Sequence, residues 1–383
     1  MDVLFYSALI SLVVWIGMLL FHGRFWRADQ VLDEDAAPAA FPPVAVVIPA
    51  RDEAPTIGRV VAALAGQDYA GPVHIVVVDD NSTDGTADAA RAGAGEGALT
   101  VVPGRPLEAG WTGKLWAVHQ GLAAAAEAMP DAAYVLLTDA DILHDPGSLR
   151  RLVAKARADG LDLVSLMVRL RAESRWEKLL IPAFVFFFQK LYPFPRVNDP
   201  RSPVAAAAGG CMLARRAALD AAGGVAPIRD RVIDDCALAR LLKARGPIWL
   251  GLTDRVVSLR AYESLGEIWS MVARTAYVQL RRSPLLLLGT VAAMAVLYLA
   301  PPVAALVGAT VGDRITGFAG LAGWAAMAWA YRPTLRLYDE PALNGFLLPL
   351  AGVLYTAMTV DSARRHWAGR GAGWKGRHYD PPG

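Results

Sequence analysis

Cysteine is scarce in this chain: 383 residues hold only Cys211 and Cys236, too few for a disulfide framework and without a metal-binding spacing. Reduced thiols in a cytosolic compartment are the reading this favours. A surplus of one charge is missing as well. The 38 basic and 36 acidic residues leave +2, which gives no bulk attraction for nucleic acid. Charged residues are 19% against 55% hydrophobic ones, a balance too apolar for an ordinary soluble enzyme. Basic residues are also lacking where a cleaved signal peptide needs them. The chain passes from Met1-Asp2 straight into the apolar run Val3–Phe21, whereas Arg24 and Arg27 follow it. Ala37-Pro38-Ala39 resembles a cleavage site but lies far beyond the run. The run is long enough to cross a bilayer. A retained anchor is expected, with the N-terminus outside and the following chain inside.

Three further apolar stretches follow Pro284: Leu285–Val311, Ile315–Tyr331 and Ala342–Val360. The first is expected to break at Pro301-Pro302. The second, short and rich in Gly and Ala, is marginal as a span. If all three crossed, the tail with Arg364, Arg365, Arg370, Lys375 and Arg377 would end outside, against the positive-inside tendency. One stretch is therefore expected to be re-entrant or interfacial, leaving the tail cytoplasmic. The number of C-terminal crossings, two or three, stays open at this point.

Between these apolar ends, Asp29–Pro43 reads as an acidic, Ala/Pro-rich linker and the pattern then becomes α/β. Val44–Ile48, Val73–Val78, Tyr134–Leu137 and Leu163–Met167 have the character of strands. Ile57–Leu64, Thr86–Ala92, Lys114–Met129 and Pro146–Ala158 read as helices, the last with Pro at its start. Alternation of this kind predicts a parallel sheet covered on both faces. The expected organisation is an anchor over 1–28, a linker over 29–43 and a catalytic domain over 44–283. Membrane segments over 284–362 and a basic tail over 363–383 complete it.

Polar clusters follow three of the strands. They are Pro49-Ala50-Arg51-Asp52-Glu53, Asp79-Asp80-Asn81-Ser82-Thr83-Asp84-Gly85 and Asp139-Ala140-Asp141. Ligands of open α/β sheets bind beyond the carboxyl ends of the strands. Carboxylates massed there repel one another unless a cation is present. A divalent metal held by one or two of them, with phosphate and water completing its shell, resolves this. In an extended segment the first and third side chains of Asp-x-Asp point the same way. The motif alone is weak: Asp33-Glu34-Asp35 in the linker has the same spacing and reads as solvated charge. Position after a buried strand separates Asp139 and Asp141 from it.

A sugar on a nucleotide diphosphate leaves as a diphosphate anion that a metal can stabilise, so no acid is needed there. A base on the acceptor hydroxyl still is. Asp234-Asp235 precedes the helical run Cys236–Lys243, where a carboxylate can cap the helix or project into a site. An N-cap is the plain alternative for Asp234, and Asp235 is the candidate base. Lys114, after Trp111-Thr112-Gly113, begins a helix where a cation and free N–H groups suit phosphate. A surface lysine is the alternative.

Taken together these clusters resemble the family 2 glycosyltransferases of GT-A fold. The matching pieces are Val47-Ile48-Pro49-Ala50-Arg51-Asp52-Glu53, Val78–Thr86, Gly113-Lys114, Thr138-Asp139-Ala140-Asp141, Gly209-Gly210 and Ile233-Asp234-Asp235. Each is weak alone; in this order, over about 44–242, they are specific. The resemblance implies a GT-A, Rossmann-like α/β domain beside one N-terminal and two to three C-terminal membrane helices. It implies that Ala50, Glu53 and Asp80 surround the nucleobase and ribose, and that Asp139 lies by the nucleotide. Asp141 would be the principal metal ligand, for Mg²⁺ or Mn²⁺. Gly209 and Gly210 would let the backbone approach sugar or acceptor. Asp235 would be the base of an inverting displacement, with Asp234 and Arg274 joining the substrate-binding set.

Processive members of that family carry Gln-x-x-Arg-Trp after the base. Here Met271-Val272-Ala273-Arg274-Thr275 keeps the arginine and puts Thr in the place of Trp, which argues for transfer of a single sugar. A narrower resemblance spans the chain. Its layout is similar to lipid glycosyltransferases, distantly the ceramide-glucosyltransferase-like ones. Tyr262-Glu263-Ser264-Leu265, Gln279–Pro284 and Trp374-Lys375-Gly376-Arg377-His378-Tyr379 look closest to the hopene-associated glycosyltransferases of hopanoid biosynthesis. That implies a nucleotide-diphospho-sugar donor, a hopanoid or related isoprenoid lipid acceptor, and a multi-pass protein of a bacterial inner membrane with its catalytic domain cytoplasmic. No nucleic-acid partner is expected.

Arg175–Pro195 is aromatic, and its uncharged run between Lys178 and Lys190 is too short to span a bilayer. An interfacial helix that brings a lipid to the site is expected, with a buried core helix as the alternative. Arg281 and Arg282 stand where they can contact anionic lipid. Three other functions compete: a polyprenyl-phosphate glycosyltransferase, which needs no base, a nucleotidyltransferase, which would release pyrophosphate, and a non-catalytic transporter component. The last calls for paired charges inside the apolar segments, which carry almost none.

Overall fold

A computed structural model describes residues 1–370 together with Gly373–Trp374 and Arg377–His378, which pair as a short antiparallel ribbon. Of the Trp374–Tyr379 stretch, Lys375, Gly376 and Tyr379 lie outside the described residues. The chain divides into two compact units, each assembled from separate segments.

The first unit takes 29–171 and 196–260. Its centre is an eight-stranded sheet. The strands are β1 (Val44–Ala50), β2 (Val73–Asp79), β3 (Leu99–Pro103), β4 (Tyr134–Thr138), β5 (Ile142–Leu143), β6 (Leu163–Arg169), β7 (Cys211–Arg215) and β8 (Ile248–Ser258), in spatial order β3-β2-β1-β4-β7-β6-β8-β5. β1 is buried along its whole length. Such near-continuous runs of β-branched and apolar residues suit strands covered on both faces. Ala54–Ala65 presents Ile57, Val60, Val61 and Leu64 to the core, the spacing of one helix face. Gly113–Ala128 lies so close on the sheet that a methyl group at Gly121 would come within 2.4 Å of Val47. Only glycine fits there.

The sheet is mixed, not all parallel. β1, β2, β3 and β4 run parallel, but β7 is antiparallel to both β4 and β6. An antiparallel neighbour needs no crossover helix, and β7 leads directly into the helix Arg216–Ala221. Reversal has a consequence for the site: β7 begins, rather than ends, at the edge where β4 ends. Cys211 pairs with Thr138, so Gly209-Gly210 sits beside the start of the Asp139 loop.

The second unit takes 1–28, 172–195 and 261–372. Its last segment takes in Leu265–Ala273, which packs with Leu348–Trp367. Three of its helices, Asp2–Phe21, Pro284–Val311 and Ala342–Trp367, are long and apolar enough to cross a membrane. Pro301-Pro302 does not break the second. Helix continues through a π segment, Ala295–Leu299, into Ala300–Val311. Pro301 has no N–H for the Leu297 carbonyl four residues earlier. Ser11 Oγ and Trp15 Nε1 donate to that carbonyl instead, each at 3.0 Å, so it is not left unpaired in apolar surroundings. The Gly/Ala-rich stretch is a 24-residue helix, Arg314–Leu337. Its small residues allow backbone contact, as at Gly317 against Gly308. The segment after it turns back along it: Gly345 abuts Ala328, and Trp324 Nε1 donates to the Phe346 carbonyl at 3.1 Å.

Arg175–Leu191 begins with a capping box of Ser174 and Glu177. Leu180, Ala183 and Phe186 join the core of the helical unit, and Lys190 donates to the Tyr298 hydroxyl at 2.6 Å. One face of this helix is thus part of a core.

Candidate functional site

The carboxyl edge of β1, β2 and β4 gathers the polar clusters. Ala50 ends β1 fully buried, and its carbonyl accepts the Asp80 N–H at 2.8 Å. Asp80 is itself 1% exposed. Glu53 stands at the N-cap of Ala54–Ala65, where its N–H donates to Thr86 Oγ1 at 2.8 Å. The two loops are laced together further. Asp52 Oδ1 accepts the Thr83 N–H, Ser82 Oγ accepts the Asp52 N–H, and Asp84 Oδ2 accepts the Ala54 N–H. Asp52 and Asn81 hold left-handed backbone, at φ 50° and 56°. Such conformations persist where surrounding bonds over-determine them.

Lys114 is the centre of charge. It is the second residue of Gly113–Ala128, whose N-terminus Thr112 caps through its side chain. Its ammonium lies 2.9 Å from Asp139 and 3.3 Å from Asp234. Burial works against that charge, but Asp139 and Asp234 outweigh it and raise the Lys114 pKa. The lysine is therefore a built ion-pair centre, not a surface residue.

Asp141 lies two residues on, its Oδ2 accepting from Ser258 Oγ at 3.4 Å. Its carboxyl is pushed up to about 6, first by burial and then by the charges of Asp139 and Glu53, with Arg260 opposing. Among the described residues no three His, Cys, Asp or Glu side chains stand together as a ready cage. A hard divalent cation that takes one or two carboxylates and completes its shell from phosphate and water needs no such cage. Crowded negative charge on Asp141 is what such an ion relieves, so the donor set fits.

The helix Asp234–Lys243 has Ile233 as its N-cap, so the capping alternative for Asp234 gives way to its bond with Lys114. Asp235, within the first turn, accepts the N–H of the next residue: its Oδ1 lies 2.6 Å from the Cys236 nitrogen. Its Oδ2 accepts the Gly209 N–H at 3.1 Å. Burial and the neighbouring Asp234 charge raise its pKa, against the pull of Cys236 N–H, Lys114 and Gly209 N–H. A methyl group at Gly209 would lie 3.2 Å from the Lys114 ammonium and 3.7 Å from the Asp235 side chain. Gly210 packs on Val168 and Ile142. Pro49, Lys114, Thr138, Asp139, Gly209 and Asp234 line one small cleft.

Lys114, Asp139, Gly209, Asp234 and Asp235 are thus brought together, with Asp141 and Glu53 coupled by charge. Arg274 belongs to the helical unit. It follows the helix Leu265–Ala273 in the helical unit and is exposed. Sequence reasoning missed Ser258 and Arg260, which reach Asp141 because β8 pairs with β5, a long-range pairing with no local signal.

Residues 42–272, more than half of the chain, match the family described as glycosyltransferase like family 2. Two curated proteins are similar over short segments. An N-acetylglucosaminyltransferase of Neorhizobium galegae is 38% identical over 76 residues, 20% of this chain and 17% of that protein. A beta-monoglucosyldiacylglycerol synthase of Synechocystis sp. is 42% identical over 61 residues, 16% of this chain and 13% of that protein. The matches therefore span less than a fifth of those relatives' lengths. A mannosyltransferase of Pyrobaculum calidifontis, solved with GDP-Man and Mn²⁺, shares the fold at a TM-score of 0.51 and 22% identity, over 93% of this chain and 99% of that one.

Proposed function

Because the chain belongs to glycosyltransferase family 2, and so is a nucleotide-sugar transferase of GT-A fold, we propose that it moves a single sugar, with inversion, onto a hydroxyl of a membrane lipid. One observation carries this reading: Asp235, its pKa raised, is held by two backbone N–H groups beside the Lys114–Asp139 pair. A bond forms between the acceptor oxygen and the anomeric carbon while the bond from that carbon to the diphosphate oxygen breaks. Asp235 takes the hydroxyl proton, since a carboxylate of raised pKa is a stronger base than a free one. Lys114 supplies positive charge to the leaving diphosphate. Asp141, with Asp139, would hold Mg²⁺ or Mn²⁺, which would neutralise charge on the phosphates when bound. Ala50, Glu53 and Asp80 would receive the nucleoside, and Arg274 the substrate.

The lipid acceptor rests on the three apolar helices and on the resemblance to hopene-associated enzymes, which favours a polycyclic or isoprenoid lipid. Asp2–Phe21 would enter with its N-terminus outside, leaving the catalytic unit cytoplasmic in a bacterial inner membrane. Pro284–Val311 would cross outward and Arg314–Leu337 return. The segment from Pro341 to Leu347 would re-enter along that helix and Leu348–Trp367 come back to the same face. That path leaves Arg364 and Arg365 inside.

Nucleoside diphosphate release from a panel of nucleotide sugars, with total membrane lipid as acceptor and mass spectrometry of the product, tests the reading. Asp235→Asn is expected to bind donor and transfer poorly. Undiminished transfer by that variant would instead indicate an acceptor that needs no base, such as a polyprenyl phosphate. Pyrophosphate released from a nucleoside triphosphate would replace the reading with nucleotidyl transfer.

A further inference from the structure

Behind the Asp139 loop lies a buried hydrogen-bond relay that ends at the Gly210 carbonyl, and the other end of the Gly209-Gly210 dipeptide meets the carboxylate of Asp235. Thr138, the last residue of β4, is 1% exposed, and its hydroxyl donates to the Gly210 carbonyl at 2.7 Å. A carbonyl only accepts, so the single hydroxyl proton is committed there. His144, just past β5, is 3% exposed and places Nε2 3.0 Å from the same Thr138 oxygen. With that proton spent on Gly210, Nε2 must carry a hydrogen and donate it. The ring is then the neutral Nε2–H tautomer. Burial lowers the His144 pKa to about 4, with Asp145 opposing, in keeping with a neutral ring. Nδ1 is buried and has no hydrogen-bond partner among the described residues. Its bond to Thr138 is therefore what the ring makes.

The same dipeptide carries the next link. Gly209 N–H, at its other end, donates to Asp235 Oδ2 at 3.1 Å. Pairing β4 with β7 does not require these side chains, because the backbone ladder already joins Thr138 to Cys211. Nor does the turn depend on them alone: Ser165 Oγ, fully buried, accepts the Ala208 N–H at 2.9 Å and lies 3.0 Å from the Cys211 carbonyl. What the relay adds is the position of the Gly210 carbonyl, and with it the direction of the Gly209 N–H. We infer that Thr138 and His144 are positioning residues for sugar transfer: acting through Gly209-Gly210, they aim the Asp235 carboxylate at the acceptor hydroxyl. Neither touches the reacting atoms, and the inference rests on the proposed role of Asp235 as base.

The test uses the full-length protein with Thr138→Val, Thr138→Ser and His144→Phe, and Asp235→Asn alone and combined with Thr138→Val. Amide exchange across 205–213, calorimetric binding of UDP and GDP with Mn²⁺, and steady-state kcat and KM are the readouts. Thr138→Val is expected to lower kcat about tenfold, the scale of one lost buried hydrogen bond. Donor KM and nucleotide affinity should stay within about twofold of wild type. Thr138→Ser should restore kcat, and exchange at Gly209-Gly210 should quicken in the valine variant and recover in the serine one. His144→Phe should show a smaller loss of the same kind, and Thr138→Val should add nothing once Asp235 is Asn. Full kcat in Thr138→Val with Asp235→Asn inactive overturns the inference and leaves the base in place. So does a loss that appears equally in nucleotide affinity, which would put Thr138 in service of the Asp139 loop. An active Asp235→Asn removes the base itself.

Discussion

Asp33-Glu34-Asp35 and Asp139-Ala140-Asp141 place carboxylates at the same spacing, one before the sheet and one at its edge. All three linker residues are exposed. Asp33 accepts the Asp35 N–H at 3.1 Å in a local turn, and Glu34 meets Arg255 at 2.7 Å on the surface. Water screens such charges, and a pair of this kind contributes little. At the sheet edge the same pattern follows a buried strand. Asp139 faces Lys114 at 2.9 Å, and the Asp141 carboxyl is pushed up to about 6 by burial and by its acidic neighbours. Spacing is common to both; desolvation and a fixed cation distinguish them. Carboxylates become a site where the fold takes water away and leaves their repulsion for a ligand to relieve.

Substitutions can break that contrast or sharpen it, and the largest effect is expected at the base. Asp235→Asn should lower kcat by about 10²–10⁴-fold with nucleotide affinity kept, measured by nucleoside diphosphate release. Asp141→Ala should abolish the Mn²⁺-dependent part of UDP or GDP binding in calorimetry; unchanged titrations would put the metal elsewhere. Lys114→Met should weaken binding of a nucleoside diphosphate by roughly 10–100-fold, the scale of one charged hydrogen bond, with less effect on a nucleoside. A pH profile sharpens the point. Asp235 has a raised pKa, so its basic form is lost as pH falls, starting above the ordinary carboxylate value of about 3.9. The acid limb of kcat/KM should lie above that value and move higher still in Lys114→Met, which removes a charge that pulls the Asp235 pKa down. The smallest effect belongs to the decoy. Asp33→Ala with Asp35→Ala should leave binding and turnover within about twofold, since surface charges of this kind are screened.

Legibility followed the range of the interaction. Strands such as Val44–Ala50 could be read as short continuous apolar runs, and helices such as Ala54–Ala65 because burial repeats at the helical period. Asp139 and Asp141 could be placed because a strand precedes them. Asp234 could not be divided from a helix cap, because its partner Lys114 is far away in sequence. Thr138 and His144 carried no signal: one hydroxyl and one imidazole become a relay only when Gly210 is laid beside them. Pro301-Pro302 misled for the same reason, since Ser11 and Trp15 accept the task of the missing N–H from a distant helix.

By itself the sequence determined the apolar stretches, four of the eight sheet strands with the helices that follow them, and the carboxylate clusters at strand ends, all of which depend on neighbours within a few residues. Only the tertiary structure decided that β7 runs antiparallel, so that Gly209 meets Asp235, and that Lys114 stands between Asp139 and Asp234. Those are contacts between residues tens of positions apart. Their geometry is set by sheet pairing and burial, and no local pattern in the chain encodes it.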